Sequence, residues 1–157
     1  MDKPPTTFFI LLFLGMFLQN CMSISTCDEL FSISDNMEGK YTLSCDLDCS
    51  KTKLSPIGGA KSFKGSLDGA GHTIYGIRMD GRGDKTGLFS FGEGAFVKNL
   101  IFQHFQVESE GSSVGLIFGE AKQVLIQNVT LCSSNRTQFS LGTVYVARKS
   151  VLSFHIV

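Results

Sequence analysis

The sequence predicts an all-β chain wound as a parallel β-helix, a solenoid of stacked coils. Three observations lead there. Glycines recur every few residues from Lys40 to Gly119, and the short apolar runs between them are rich in Phe, Val and Ile, which favour strands over helices. The segment TGLFSFGEGAFVKNLIFQHFQV (86–107) can be laid over VGLIFGEAKQVLIQNVTLCSSN (114–135), with Gly87-Leu88 over Gly115-Leu116 and Asn99-Leu100 over Asn128-Val129, at offsets of 28 and 29 residues. A unit of that length has no room for a crossover helix, and it buries an apolar face only when units stack. An antiparallel sandwich also accounts for short strands and frequent turns, but not for the recurrence.

The first element is a leader. Lys3 precedes FFILLFLGMFL (8–18), and small polar residues follow, the layout of a secretory signal peptide over residues 1–25 with cleavage after Ser23 or Ser25. A bacterial lipoprotein signal ending at Cys21 is the lesser alternative, because Gln19-Asn20 places no small residue before the cysteine. Eleven residues fall short of the roughly 20 that cross a bilayer. Next, Thr26-Cys27-Asp28-Glu29 has the form of a capping box, and Leu30, Ile33 and Met37 follow at helical spacing, so a short helix is expected from Asp28 to Met37, ended by Gly39. From Tyr41 to Leu47 the pattern alternates as a strand does.

The repeat then sets the register of the coils. Upstream, HTIYGI set over FVKNLI brings Ile77 near Leu100; downstream, a step of 27 takes Gly115 to Gly142 and Val124-Leu125 to Val151-Leu152. Phe89, Leu100, Phe102, Leu116, Phe118, Val129 and Leu131 are expected as core stacks. The final SVLSFHIV reads as part of another coil with no visible cap, so a β-helix domain over 26–157 is expected to be incomplete. At 157 residues the chain suits one domain.

The strings FKGSLDGAGHTIYGI, GLFSFGEGAFVKNLIF and VGLIFGEAKQVLIQNV, with the lead-in DELFSISDNMEGKYTLSCDLD, resemble the N-terminal coils of extracellular GLUG-repeat proteins over about residues 28–131. That resemblance implies a right-handed parallel β-helix of the pectin-lyase-like type and an adhesin-type surface role, without a defining catalytic constellation. The cysteines at 45, 49 and 132 depart from the family's pattern. Polysaccharide lyases and hydrolases of the same architecture are the catalytic alternative.

Individual residues narrow the chemistry. With the leader removed, Cys21 is lost and Cys27, Cys45, Cys49 and Cys132 remain, an even count suited to disulfides in an exported chain, with three pairings open. Cys45 and Cys49 pair with each other only if a turn lies between them. Their C-x3-C spacing is a weak match to a zinc site. Asn128-Val129-Thr130 and Asn135-Arg136-Thr137 are glycosylation sequons, Asn135 the more accessible because an inward ladder asparagine at 128 could not carry a sugar. Asp68 and His72 have acid-base or metal-ligand chemistry, but an Asp and a His four apart without a third partner more often decorate a turn. Asp46 and Asp48 would share a strand face and could hold calcium, against the plainer reading of a solvated edge.

Arg82-Gly83-Asp84, inside DGRGDKTG, invites an adhesion reading, although turns rich in Gly and Asp produce such tripeptides by chance. Neither a phosphate-loop nor an H-E-x-x-H pattern occurs. Lys plus Arg equals Asp plus Glu at 14 each, which argues against nucleic acid and anionic membrane surfaces as partners. The expectation is therefore a secreted or surface module without cofactor, metal, catalytic residues or, after cleavage, a transmembrane helix. Its ligand is an extracellular glycan or protein.

Overall fold

The computed structural model describes residues 21–109, 113–132 and 152–156, which wind into a parallel β-solenoid of about three turns with one short helix. Strand β1 (Cys21–Ile24) leads into helix α1 (Cys27–Phe31) and a 3-10 turn (Ser32–Asp35). Coil one holds β2 (Lys40–Leu43), β3 (Leu47–Asp48), β4 (Lys53–Leu54) and β5 (Ile57–Phe63). Coil two holds β6 (Ser66–Asp68), β7 (Thr73–Tyr75), β8 (Arg78–Gly81), β9 (Lys85–Thr86) and β10 (Phe89–Glu93). Coil three holds β11 (Phe96–Gln103), β12 (Gln106–Ser109), β13 (Ser113–Val114) and β14 (Phe118–Lys122), and β15 (Leu125–Cys132) and β16 (Leu152–Ile156) extend the stack. No helix of the described residues is long and apolar enough to cross a membrane.

Every strand pair among the described residues is parallel. One face runs β1-β2-β6-β11-β15-β16, a second β4-β8-β12, and a third β5-β10-β14, and β9 pairs with β13 in a separate two-stranded sheet. Alternation along each strand sends every second side chain inward, so equivalent residues stack into ladders along the axis. Tyr41, Leu67, Val97 and Ile126 form one buried ladder; Leu47, Ile74 and Phe102 form another. On the third face the rings of Phe63, Phe89 and Phe118 stack with centroids 4.2 and 5.5 Å apart. Of the expected core set, Phe89, Leu100, Phe102, Phe118 and Val129 are buried, and Leu116 and Leu131 pack partly buried against them.

Several sequence expectations need correction. The helix ends at Phe31, where Ser32 and Asn36 satisfy backbone groups locally: Ser32 Oγ donates to the Asp28 carbonyl, and Asn36 Oδ1 accepts from the Glu38 amide. Leu30, Ile33 and Met37 are nevertheless all buried, so the apolar spacing was right and only the winding tightens. Ile77 is not near Leu100. Ile74 opposes Phe102, and Ile77 instead accepts the Gln106 amide beside Phe105, because four residues (69–72) separate β6 from β7 where only Asn99 and Leu100 separate the matching halves of β11. Downstream, Leu152 opposes Ile126 rather than Leu125, one residue from the expected step; Gly142 and Val151 lie outside the described residues.

The corners explain the glycines of the segment 63–76. Ala70, Asn99, His104, Gln123 and Asn128 have φ of 51° to 54°, and several glycines have φ of 55° to 93°, so the chain turns corners through the left-handed region. Gly76 (φ 72°) and His104 occupy the same corner of adjacent coils, since β7 and β8 both pair with coil three at an offset of 28. Positive φ therefore does not by itself demand glycine there. At Gly76 a β-carbon would also lie 2.7 Å from Ser50 Cβ in the coil before it. Gly69 is required for approach alone, because a β-carbon would run into the Asn99 backbone.

Candidate functional site

An open groove of about 1150 Å³ lies across coils one and two. Its first wall is a bulge: between Ile57 and Ser62, β5 carries three residues more than the strand beside it, since Phe89 pairs at an offset of 32 and Phe91 at 29. Gly58 and Gly59, with φ of 93° and 55°, make that bulge possible. The second wall is the turn from β8 to β9, which carries Arg82-Gly83-Asp84. Coil three holds this turn from behind, where the Ser113 amide donates 2.9 Å to the Asp84 carbonyl.

Charges across the groove are partly neutralised. Lys53 pairs with Asp80 at 2.9 Å, and Lys85 pairs with Glu120 at 2.6 Å while its Nζ sits 4.9 Å over the Phe91 ring. The hydrogen bond from Lys53 holds the Asp80 carboxyl below the ordinary carboxylate range, and the nearby Arg82 guanidinium pulls the same way. Arg82 and Asp84 are exposed, and neither side chain forms an ion pair among the described residues. The sequence singled out the tripeptide but not Lys53, Asp80 or Phe91, which a single sequence has no means of bringing beside it.

The acid and histidine of the glycine-rich segment are drawn apart. Asp68 Oδ1 accepts from the Ala70 amide (2.9 Å) and from Asn99 Nδ2 (3.1 Å), and its other oxygen pairs with Lys98 at 3.0 Å. Burial raises the Asp68 carboxyl, but the Ala70, Lys98 and Asn99 contacts outweigh it and hold it low. His72 Nδ1 lies 3.3 Å from Asp46 Oδ1, which also accepts the Thr73 amide at 2.8 Å. Asp48 accepts the Ser50 amide in its own turn. Asp46 thus links coil one to coil two while Asp48 serves its own turn, and no group of three or more metal-binding side chains occurs among the described residues.

The asparagines form a ladder along the axis. Asn128 Nδ2 donates to Asn99 Oδ1 at 2.9 Å, and Asn99 in turn donates to Asp68, so one corner of three successive coils is joined by side chains. Asn128 is exposed although its amide is engaged; Asn135 lies outside the described residues. Glu93 likewise spans three coils, between Lys64 at 3.6 Å and Lys122 at 3.1 Å.

The cysteines resolve into one bridge. Cys27 and Cys49 form a disulfide, Cα atoms 5.7 Å apart; Cys21 and Cys45 are exposed thiols and Cys132 is a half-buried one.

The chain carries stacked polar ladders and a groove in its flank. It is similar to halomucin of Haloquadratum walsbyi. The likeness is 33% identity over 140 residues, covering 77% of this chain and 2% of halomucin. The chain thus spans a small fraction of that relative. No family model matches, and no solved structure matches.

Proposed function

We propose that the chain is an exported, non-catalytic β-solenoid module of a secreted or surface protein, binding an extracellular glycan or protein through the groove beside Arg82-Gly83-Asp84. The observation that carries this reading is the pairing pattern. Five lysine–carboxylate pairs join neighbouring coils among the described residues, and at the groove an exposed guanidinium and an exposed carboxylate stand two residues apart in a held turn. The signal-like leader over 1–25, the resemblance of the coils to GLUG-repeat adhesins and the similarity to halomucin, a secreted or cell-surface protein, support export. N-glycans on Asn135, and on Asn128 where its ladder bond permits, belong to the same reading.

The test is binding of the full chain to arrayed extracellular glycans and matrix proteins. Replacing both Arg82 and Asp84 with alanine should weaken the captured interaction at least about tenfold, a loss of ~1.4 kcal/mol, while Lys122→Ala leaves it unchanged. Equal binding by the double variant would remove the groove from the reading.

The second reading, a polysaccharide lyase or hydrolase, is favoured by one feature: the groove gathers Lys53, Asp80, Arg82, Asp84 and Lys85 over neighbouring coils. Against it, Asp80 is kept ionised by Lys53 and so is unsuited to act as a general acid near neutrality. Release of reducing or unsaturated sugars from acidic polysaccharides would establish the enzyme instead.

A further inference from the structure

Strand β1 lies inside residues 1–25, the expected span of the leader. It pairs residue for residue with β2, from Cys21 beside Lys40 to Ile24 beside Leu43, and it covers that edge of the first coil. Ile24 is 2% exposed and belongs to the continuous core. Its carbonyl accepts from both the Ser44 amide (2.9 Å) and Ser44 Oγ (3.1 Å). Ser25 is equally committed: its amide and hydroxyl donate to Glu29 Oε2 at 2.7 and 2.9 Å, widening the capping box of α1, and its carbonyl accepts the Cys45 thiol at 3.3 Å.

Cleavage after Ser23 would remove three of the four residues of β1 and leave Ile24 as a charged terminus in the core; cleavage after Ser25 would remove the strand and the outer contacts of the cap. Either cut bares backbone edge groups of β2, and the cut after Ser25 also removes Ile24 from beside Leu43.

We propose that Cys21–Ser25 stay on the folded exported chain as its first strand and edge cover, and that processing falls at or upstream of the Asn20–Cys21 bond. The small residues Ser23 and Ser25, which mark a peptidase site by type, are structural instead. The step is hydrolysis by a signal peptidase: water adds across one C–N bond, the leader leaves with the new carboxylate, and the new amine stays with the mature chain. Cys21 is thereby retained as an exposed thiol.

This inference rests on the export reading, and one experiment separates the two. The full chain is produced with its own leader in a secreting host, and the protein from the medium is sequenced from its N-terminus and weighed intact. A first residue at Cys21 or upstream is expected. A first residue at Ile24 or Thr26 overturns the proposal while export stands; a chain kept in the cytosol with Met1 in place defeats export, and the processing site with it. In a second arm, chains beginning at Cys21 and at Thr26 are melted side by side. The shorter one should melt at least roughly 5 °C lower, and equal melting would overturn the role of β1 as a cover.

Discussion

Asn99 shows how much one side chain carries in a solenoid. It turns the corner with φ of 53°, donates to Asp68 in the coil before and accepts from Asn128 in the coil after. Asn99→Ala should cost about 2–3 kcal/mol, the sum of a left-handed conformation without asparagine's local compensation and two lost hydrogen bonds. Asn99→Gly relieves the first and keeps the second, so its loss should be about 1–2 kcal/mol. Urea unfolding of the two variants checks this; equal losses would mean that the left-handed conformation adds nothing beyond the lost ladder bonds. That Asn99 and Asn128 are equivalent was legible in the sequence through their offset of 29. That Asp68 begins the same ladder was not, because the extra residues at 69–72 break the register there.

Among elements, the short helix is the least self-sufficient. Five residues of α-helix are far below what is stable alone in water, so α1 is held by its capping box, by Leu30 in the core, and by the Cys27–Cys49 bridge to the end of β3. The bridge closes a separation of 22 residues, for which chain entropy gives about 3 kcal/mol. Replacing Cys27 and Cys49 together with serine should lower unfolding stability by about 2–4 kcal/mol. A reducing agent should then destabilise the parent chain and leave the variant unmoved; equal response of both would place the effect at another cysteine. Spacing left three pairings open, and only the fold brings Cys49 beneath α1.

For the whole molecule, the lysine–carboxylate pairs connect coil to coil. Exposed pairs of this kind contribute little singly, yet they act in one direction on pH. Asp68, Asp80 and Glu93 all have folded carboxyls below their ordinary values, so each contributes stability that is present above the ordinary value of 3.8 or 4.5 and lost as pH falls through the lowered one. Stability should accordingly be flat from neutrality to about pH 5 and decline below it. Asp68→Asn should flatten part of that acid limb in chemical unfolding followed from pH 7 to 3. An acid limb identical to the parent's would show that Asp68 is not among its causes.

What the sequence by itself determined is the kind of fold. Period, strand chemistry and glycine punctuation are local properties repeated along the chain, and stacking is how a unit too small to bury its own apolar face becomes stable. The capping box at Thr26-Glu29 and the buried phenylalanines were legible for the same reason: their signals lie within a few residues. The tertiary structure alone decided the register between coils, the Cys27–Cys49 bridge, the bulge of β5 and the groove it opens, and the engagement of Cys21–Ser25 in the first coil. Each depends on which residue of one coil lies over which residue of the next. A loop one or two residues longer or shorter shifts that match, and no local pattern records the shift.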